Sequence, residues 1–487
     1  MPANLIPSAA ELIRFLPEMI LTAMGCLFLI LEPFTGPRRD LYGHLTIGAL
    51  IAAALAAVNA NTFPGPAFGG MLMIGGFATF FRVLVYGVGV LTVLASYRFL
   101  KREEAETASY HGLLLYSIVG QSLMAAANEL IMIFIGLEIS SIASYVLTGY
   151  MRDDKRSTEA ALKYFLLGSF ATAFFLYGVA VVYGMTGSTN LTAIRMLFAG
   201  GRANMPAALF AGIAVALMFV GLGFKVSSAP FQIWAPDVYQ GAPAPVAAFL
   251  STGPKAAAFA VFLHIFMTAF QPLARTWEPV VWLAALASMT VGNFAALVQT
   301  NVKRMLAYSS IAHAGYVLVA LAARSNPGTA AAMFYLAVYA LMNVGAFAVV
   351  GHLAGKGERY QNVNDFAGLA TRQPATAAVL AVFLLSLIGV PPTGGFFGKM
   401  LIFRAALDSQ LVWLTIFGLL NSAAGAFYYL RLLVLMYMRE PGDAADGVEP
   451  VSTALQASLV LTAAGTLALG VFPGWLVEFA SRSAVLR

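Results

Sequence analysis

The sequence GLGFKVSSAPFQIWAPDVYQ, residues 221–240, interrupts one of the long apolar segments of the chain. Lys225 stands at the end of an apolar run, and Pro230 and Pro236 follow it closely. A lone ammonium in hydrocarbon costs at least a few kcal/mol, and proline removes a backbone donor and collides with the preceding turn. Membrane proteins tolerate such features only where the broken backbone is buried in protein or lines a wet cavity. The stretch therefore predicts a broken membrane helix that handles ions.

A second stretch, LIGVPPTGGFFGKM at residues 387–400, has the same design, with prolines and glycines in front of Lys399. Interrupted apolar segments at corresponding positions of two halves are typical of transporters built from inverted repeats. We therefore predict two inverted five-helix repeats, each with one broken helix. The predicted boundaries are an N-terminal three-helix segment (1–105), the first repeat (106–272), the second repeat (273–440) and a C-terminal helix (441–487).

The composition indicates an integral membrane protein. Of the 487 residues, 60% are hydrophobic and 10% are charged, and the mean hydropathy is +0.81, whereas soluble domains carry about 25% charged residues. The apolar runs are too long for the strands of a membrane barrel, which need only ~10 residues. We predict an all-α polytopic protein with about fourteen transmembrane helices. The N-terminus lacks the features of a cleavable signal peptide, so the first apolar run is expected to remain as a helix.

Each predicted span is an apolar run near the ~20 residues that a bilayer crossing requires. They are 11–32, 41–60, 71–98, 109–126, 128–150, 159–185, 206–240 (broken), 244–270, 279–299, 303–323, 329–353, 374–407 (broken), 410–438 and 451–472.

The distribution of basic residues predicts the orientation. Loops after odd-numbered helices hold most of the bases: Arg38, Arg39, Arg98 to Arg102, Arg152 to Arg156, Lys303, Arg304, Lys356, Arg359 and Arg372. Loops after even-numbered helices hold few: Arg195, Arg202, Arg275 and Arg324. Basic loops stay on the cytoplasmic side, which predicts that both termini are periplasmic in a bacterial inner membrane. The same rule accounts for the net charge of +6, so no nucleic-acid partner is expected.

Four charged residues lie near the middle of predicted spans: Glu138, Lys225, Lys255 and Lys399. Burial generally lowers the pKa of a lysine and raises that of a glutamate, so buried lysines can load and release protons near neutral pH. The alternative is a static ion pair between Glu138 and one lysine, but this leaves two lysines unpaired. We therefore predict that all four residues transfer protons.

Weaker candidates surround this set. Glu159 and Lys163 share a helix face at spacing i, i+4, and they form either an interfacial salt bridge or a pair that tunes Glu138. His313 either relays protons or hydrogen-bonds a serine.

Three further residues lie within or beside spans. His264, near the outer end of the eighth helix, is expected to be structural, and Glu129, at the start of the fifth, is expected to be a surface or interface acid. Arg431 is expected to snorkel or to form a pair, with a role on the exit side left open.

The sequence contains no motif for redox or nucleotide chemistry. It has no dinucleotide fingerprint and no P-loop, and its one cysteine, Cys26, excludes an internal disulfide and a cysteine-held iron–sulfur cluster. No cofactor or metal site is expected in this chain, so the energy for transport must come from an ion gradient or a partner.

Five long motifs resemble one family. They are IGLEISSIASYVLTGY (135–150), STEAALKYFLLGSFATAFFLYG (157–178), FKVSSAPFQIWAPDVYQGAPAPVAAFLSTGPKAAAFAVF (224–262), KRMLAYSSIAHAGY (303–316) and IGVPPTGGFFGK (388–399). Over roughly residues 100–440 the chain resembles the antiporter-like membrane subunits of respiratory complex I, NADH:quinone oxidoreductase, and among these the N-type. The resemblance implies that the complex oxidises NADH, reduces a quinone and pumps protons.

The resemblance also implies roles for particular residues. Glu138 corresponds to the family's glutamate of helix 5, and Lys225 and Lys255 to its lysines of helices 7 and 8. Lys399 is the terminal residue of the row, where the M-type sister subunit has a glutamate, and Glu159 and Lys163 also match family positions. One departure is Gln232, because the family often has histidine there, and a water or the amide must then take its place.

The resemblance implies that NADH, FMN, iron–sulfur clusters and quinone belong to partner subunits. The expected partners are the M-type subunit, small membrane subunits and the lipid bilayer. Two alternatives remain: a subunit of a cation/proton antiporter or membrane-bound hydrogenase complex, and an assembly scaffold that conducts nothing. A stand-alone solute carrier is the least supported, because no polar substrate pocket is evident beyond the ionisable row.

Overall fold

The computed structural model of the chain describes residues 7–35, 39–105, 107–200, 205–441 and 450–485. This part of the chain contains nineteen α-helices and one short β-hairpin, which confirms the predicted all-α class. Two bases used in the orientation argument, Arg38 and Arg202, lie outside the described residues.

The first half of the chain forms ten helices. They are α1 (Ala9–Thr35), α2 (Arg39–Ala60), α3 (Gly76–Arg102), α4 (Ala108–Ala126), α5 (Leu130–Thr148), α6 (Lys155–Thr186), α7 (Leu191–Ala199), α8 (Met205–Val226), α9 (Trp234–Gly241) and α10 (Ala244–His264). The hairpin pairs β1 (Gly65–Ala67) antiparallel to β2 (Leu72–Ile74), with Pro66 opposite Met73.

The second half forms nine helices. They are α11 (Ala274–Leu297), α12 (Val302–Ala322), α13 (Asn326–Leu353), α14 (Leu369–Arg372), α15 (Pro374–Ile388), α16 (Gly394–Asp408), α17 (Val412–Met438), α18 (Thr453–Val471) and α19 (Gly474–Ser483).

Within the described residues, twelve helical segments are long and apolar enough to cross a membrane. The predicted fourth span, α4, is not among them, because its 19 residues include polar side chains such as His111 and Gln121. The twelfth predicted span consists of α15 and α16, each 15 residues long and shorter than the ~20 residues of a single crossing. The polytopic architecture is confirmed, while the exact count of fourteen is not.

The first predicted helix break is confirmed between α8 and α9. The backbone groups freed by this break find partners inside the protein. The Ala229 N–H donates to Ser288 Oγ at 2.8 Å, and the Trp234 indole N–H donates to the Phe224 carbonyl at 2.9 Å. Side chains of α9 and α11 thus provide hydrogen-bond partners for the backbone groups freed by the break, as membrane depth requires.

The second break, between α15 and α16, is also confirmed. Gly389 adopts a φ of +93°, which glycine reaches without steric cost. The Gly395 N–H donates to Ser386 Oγ at 3.1 Å, and a Cβ at position 395 would come within 1.9 Å of the Ser386 carbonyl oxygen. The glycines of this motif therefore allow the two half-helices to approach closely.

Helix α10 forms the centre of the bundle. Each of its residues from Ala244 to His264 is buried, and it packs against α3, α4, α8, α12 and α13. Beyond Lys255, Phe262 packs against Phe259 and Phe266, with ring centroids 6.2 and 5.3 Å apart. A π-helical turn at Ile265–Ala269 ends the span. Lys255 is therefore held in an apolar, fully enclosed helix.

The N-terminal helices are joined to the bundle through a buried ion pair that the sequence analysis did not single out. Arg82 of α3 lies 2.8 Å from Glu18 of α1, and both side chains are completely buried. The Ser122 hydroxyl of α4 donates to the same carboxylate. Breaking such a pair by removing one partner generally costs about 3–5 kcal/mol, so this contact holds α1, α3 and α4 together.

Candidate functional site

The Lys225 side chain lies in the last turn of α8, directly before the first break. It is 4% exposed, and its ammonium donates to Ser141 Oγ at 2.8 Å and to the Tyr164 hydroxyl at 3.4 Å. Tyr164 is held in place by Trp234, whose ring stacks on it at 4.4 Å. The break therefore positions the residues that surround Lys225.

Glu138 lies one helical turn before Ser141 on α5. It is close enough to Lys225 for an electrostatic interaction, but the Lys225 ammonium donates to Ser141 and Tyr164 instead. Glu138 Oε1 is buried and has no hydrogen-bond partner among the described residues. The carboxylate and the ammonium are thus neighbours that do not form a closed ion pair.

Lys255 is 2% exposed and has no carboxylate partner in the described part of the chain. Its ammonium donates to the carbonyl oxygen of Ser310 at 3.1 Å and also to the Ser310 hydroxyl. Ser310 belongs to α12, so this contact connects the centre of the bundle to the second half of the chain.

One face of α12 continues from Ser310 toward Lys399. His313 Nδ1 is hydrogen-bonded to the Tyr335 hydroxyl, and His313 Nε2 lies 3.2 Å from the Tyr429 hydroxyl. One turn further on, the Tyr316 ring lies under the Lys399 ammonium, with 4.8 Å from nitrogen to centroid. His313 is therefore placed between two lysines and contacts tyrosines, not the serine considered from the sequence.

Lys399 lies in α16, just after the second break, and is 8% exposed. Its ammonium donates to the carbonyls of Leu387 and Ile388 at 3.0 and 2.8 Å and to Ser422 Oγ at 2.8 Å. The two carbonyls end α15, where the helix dipole is negative and favours a cation. The break thus creates a site for a positive charge without a carboxylate.

Glu159 and Lys163 form an ion pair at 2.7 Å, and both side chains are substantially exposed. Lys163 also lies 2.9 Å from Asp237 of α9, and the other oxygen of Asp237 accepts from Arg304 of α12. Asp237 therefore joins α6, α9 and α12. The geometry matches the interfacial salt bridge considered from the sequence, with Asp237 and Arg304 as additional members.

Two of the remaining candidates have structural partners. Glu129 accepts from the Met132 N–H at 2.7 Å and so caps α5. Arg431 donates to the carbonyls of Leu297 and Gln299 at the end of α11, so its hydrogen-bond partners among the described residues are backbone carbonyls.

His264 and Gln232 each retain a polar atom without a protein partner. His264 is buried with its ring 5.9 Å from Phe77. Both His264 Nδ1 and Gln232 Oε1 are buried without a hydrogen-bond partner in the described residues.

The tyrosines around His313 were not singled out from the sequence. Tyr335, Tyr339 and Tyr429 come from α13 and α17 and surround the imidazole. The spacing of Ser309, His313 and Tyr316 at i, i+4 and i+7 aligns them on one face of α12, and this alignment could have indicated a polar cluster around His313. The tyrosines lacked such a signal because the chain contains 19 of them.

The groups of this arrangement are suited to moving protons. Hydroxyl and imidazole groups both donate and accept hydrogen bonds, and Ser310, His313 and Tyr316 place such groups on α12 between Lys255 and Lys399. Buried polar atoms without protein partners, such as Ser227 Oγ and Tyr339 OH, are sites where internal water commonly binds. Among the described residues, no group of three or more His, Cys, Asp or Glu side chains could hold a metal ion.

Comparisons with known proteins agree on one family. Residues 127–425 match the model described as "NADH:quinone oxidoreductase/Mrp antiporter, TM". NADH-quinone oxidoreductase subunit N 1 of Solibacter usitatus is 66% identical over 485 residues, with 99% of both chains covered. Subunit N 2 of Koribacter versatilis is 49% identical, with 97% of both covered. A chain of the Thermus thermophilus respiratory complex I, solved with bound aureothin, superposes with a TM-score of 0.81 at 34% identity, covering 96% of this chain and 99% of that one.

Proposed function

The chain belongs to the NADH:quinone oxidoreductase/Mrp antiporter family, within its NADH-quinone oxidoreductase subunit N branch, and from this we propose how it translocates protons. It is a multi-pass membrane subunit of a bacterial NADH-quinone oxidoreductase and assembles with the other membrane subunits of that complex. We propose that protons move along a row formed by Glu138, Lys225, Lys255 and Lys399. NADH oxidation and quinone reduction take place in partner subunits.

The observation that carries this proposal is the set of three buried lysines without carboxylate partners in the described residues. Lys225, Lys255 and Lys399 donate only to hydroxyls and to backbone carbonyls. A buried charge kept for stability is normally paired, because a desolvated ammonium without a counter-charge is costly. A lysine that alternates between charged and neutral forms needs surroundings that accept both, and hydroxyl groups provide them.

The path between the lysines supports the same proposal. Ser310, His313 and Tyr316 of α12 lie between Lys255 and Lys399: Ser310 accepts from Lys255, and the Tyr316 ring lies under the Lys399 ammonium. Their hydroxyl and imidazole groups can both accept and release a proton. Coupling in this proposal is electrostatic: a change of charge at Glu138 alters the proton affinity of Lys225, and the change passes along the row.

Replacing Lys399 with methionine tests the far end of the row. In the purified complex reconstituted into proteoliposomes, we expect Lys399→Met to reduce NADH-driven proton translocation to a small fraction of the wild-type rate. Methionine keeps the length of the side chain but cannot carry a proton. The measurement is the quenching of a pH-sensitive dye together with the rate of quinone reduction.

The matched control is Arg404→Gln on the same helix, because Arg404 is exposed and only 4.0 Å from the exposed Asp408. It should behave like the wild type. Wild-type pumping by an assembled Lys399→Met complex would remove Lys399 from the row.

We also propose that both termini are periplasmic, as the basic loops after odd-numbered helices indicate. The ends of α3, α5 and α13 would then lie on the cytoplasmic side. A reporter active only in the cytoplasm, fused after Arg487, is expected to be silent, and one fused within the loop at Lys356 is expected to be active. Activity of the C-terminal fusion would reverse this orientation.

The proposal includes the division into repeats. We propose that residues 106–272 and 273–440 are inverted units, because each contains one broken helix with a buried lysine beside the break. Helix α9 follows the first break and α16 follows the second, and both pack against α12, which carries groups that connect the two units in this proposal.

A further inference from the structure

Lys225 and Lys255 have no hydrogen-bond partner in common within the part of the chain that the structure describes. Lys225 donates to Ser141 and Tyr164, whereas Lys255 donates to the carbonyl and hydroxyl oxygens of Ser310. A proton passes only between groups within hydrogen-bond reach of each other, directly or through one water. If protons pass from Lys225 to Lys255, as proposed above, a further group must therefore connect them.

The Tyr239 hydroxyl of α9 lies between the surroundings of the two lysines. Tyr239 is completely buried, and its hydroxyl is close enough to interact with the hydroxyls of both Ser227 and Ser310. Ser227 follows Lys225 by two positions at the first break, and Ser310 accepts from Lys255. One phenol group thus approaches a residue beside each lysine.

Ser227 has an unusual backbone conformation and a hydroxyl that is not in use. Its φ is +60°, in the left-handed region that is uncommon for residues other than glycine. Such residues persist where the surrounding structure fixes them, and they cluster at functional sites. Ser227 Oγ is buried and has no hydrogen-bond partner in the described residues, although most buried polar atoms have one. The break therefore presents a hydroxyl that can take up a partner beside Tyr239.

The Tyr239 hydroxyl also has a structural contact. Pro254 lies inside α10 and lacks the N–H that would otherwise bond to the Leu250 carbonyl one turn earlier. The Tyr239 hydroxyl donates to that carbonyl at 3.3 Å, which is longer than the usual O–H···O distance of roughly 2.5–3.0 Å. The hydroxyl is therefore not committed to this carbonyl, and its oxygen keeps its capacity to accept.

We propose that the Tyr239 hydroxyl is the relay that passes protons between Lys225 and Lys255, with Ser227 on one side and Ser310 on the other. The inference rests on the proton row proposed above and adds the group that joins two of its lysines. A proton leaves the Lys225 ammonium and another arrives at the Lys255 amine, while each of the three hydroxyls breaks one O–H bond and forms one. A water bound to Ser227 Oγ, as is common for such atoms, extends the series to Lys225.

The test begins with Tyr239→Phe in the purified complex reconstituted into proteoliposomes. Phenylalanine keeps the ring, which lies edge-on to Trp234 and Phe347 at 5.8 and 6.2 Å between centroids, and removes only the hydroxyl. We expect NADH-driven proton translocation and quinone reduction to fall severalfold. The solvent deuterium isotope effect on quinone reduction should increase, because proton transfer becomes rate-limiting. The matched control is Tyr110→Phe, since Tyr110 is also buried and bonds to Ser96 at 2.8 Å; it should behave like the wild type.

Pro254→Ala separates the relay from the structural contact. Alanine restores an N–H that can donate to the Leu250 carbonyl within α10, so the helix no longer needs the Tyr239 hydroxyl. If the hydroxyl is a relay, Tyr239→Phe should cause the same severalfold loss in the Pro254→Ala background as in the wild type. Disappearance of the loss in that background would overturn the proposal and leave the hydroxyl as a partner of the helix only.

Two further variants complete the experiment. Ser227→Ala should lower proton translocation as Tyr239→Phe does, and it decides the case if Tyr239→Phe fails to assemble. Ser228→Ala should not lower it, because Ser228 Oγ bonds to the Gly223 carbonyl of α8. Wild-type rates for Tyr239→Phe or Ser227→Ala in assembled complexes would refute the relay, and impairment of Lys255→Ala in the same assay would then retain the row. Wild-type rates for Lys255→Ala would refute the row and the relay together.

Discussion

The Lys255→Ala variant is expected to leave the complex assembled and to lower proton translocation and coupled quinone reduction by about 10²-fold, the low end of what a positioned proton-transfer group contributes. The reason is that Lys255 is enclosed on all sides and contacts Ser310 with no carboxylate nearby in the described residues. Alanine leaves this central position without a group that can carry a proton. Assembly is checked by the amount of intact complex recovered, and activity by proteoliposome assays.

Arginine at position 255 separates proton transfer from static charge. Guanidinium keeps its proton throughout this pH range, so Lys255→Arg should also be strongly impaired. A residue that served only as a fixed positive charge would tolerate arginine well. The control is Lys356→Ala, because Lys356 is exposed and pairs with the exposed Glu104 at 3.3 Å; it should retain activity. Full activity in assembled Lys255→Ala membranes would exclude Lys255 from proton transfer.

The second large effect is expected at Glu138 and Lys225, which should be energetically coupled. Glu138→Gln should strongly depress coupled activity, because it keeps the shape but removes the charge that acts on Lys225. Glu138→Asp should retain part of the activity. Since the Lys225 ammonium donates to Ser141 and Tyr164 and not to Glu138, we expect the contact between Glu138 and Lys225 to close and open during turnover.

A double-mutant cycle measures this coupling. Glu138→Gln combined with Lys225→Met should be little worse than either single change, with an interaction energy within the roughly 0.5–3 kcal/mol typical of neighbouring residues. The matched control is Glu159→Gln combined with Lys225→Met, since Glu159 is exposed and pairs with Lys163; those effects should add. Strictly additive losses of activity for Glu138→Gln and Lys225→Met in assembled complexes would exclude the proposed coupling between the two residues.

The broken helices were predictable because they violate the rules of membrane helices. Prolines, glycines and a lysine within an apolar run leave few interpretations, and both breaks lie where the sequence indicates them. The partners that satisfy them were not predictable. That Lys399 binds the carbonyls ending α15, and that Ser288 reaches the first break, depends on how distant helices pack.

Other elements escaped prediction for a different physical reason. Hydropathy measures how long an apolar run is, and it does not detect short amphipathic helices such as α7 and α19. It also does not show which charges are buried together. Glu18 and Arg82 stand far apart in sequence, and only the packing of α1 on α3 reveals their ion pair.

The complete burial of α10 bears on how the subunit prevents protons from leaking across the membrane. A membrane that maintains a potential must not contain a continuous column of water, because protons would flow back through it and abolish the potential. Beyond Lys255 the rings of Phe259, Phe262 and Phe266 pack against one another, and His264 is the titratable side chain among them. The end of α10 beyond Lys255 is thus largely apolar. In the proposed row, a proton that reaches Lys255 passes toward Lys399 by way of α12, while the apolar end of α10 limits leakage along the helix axis.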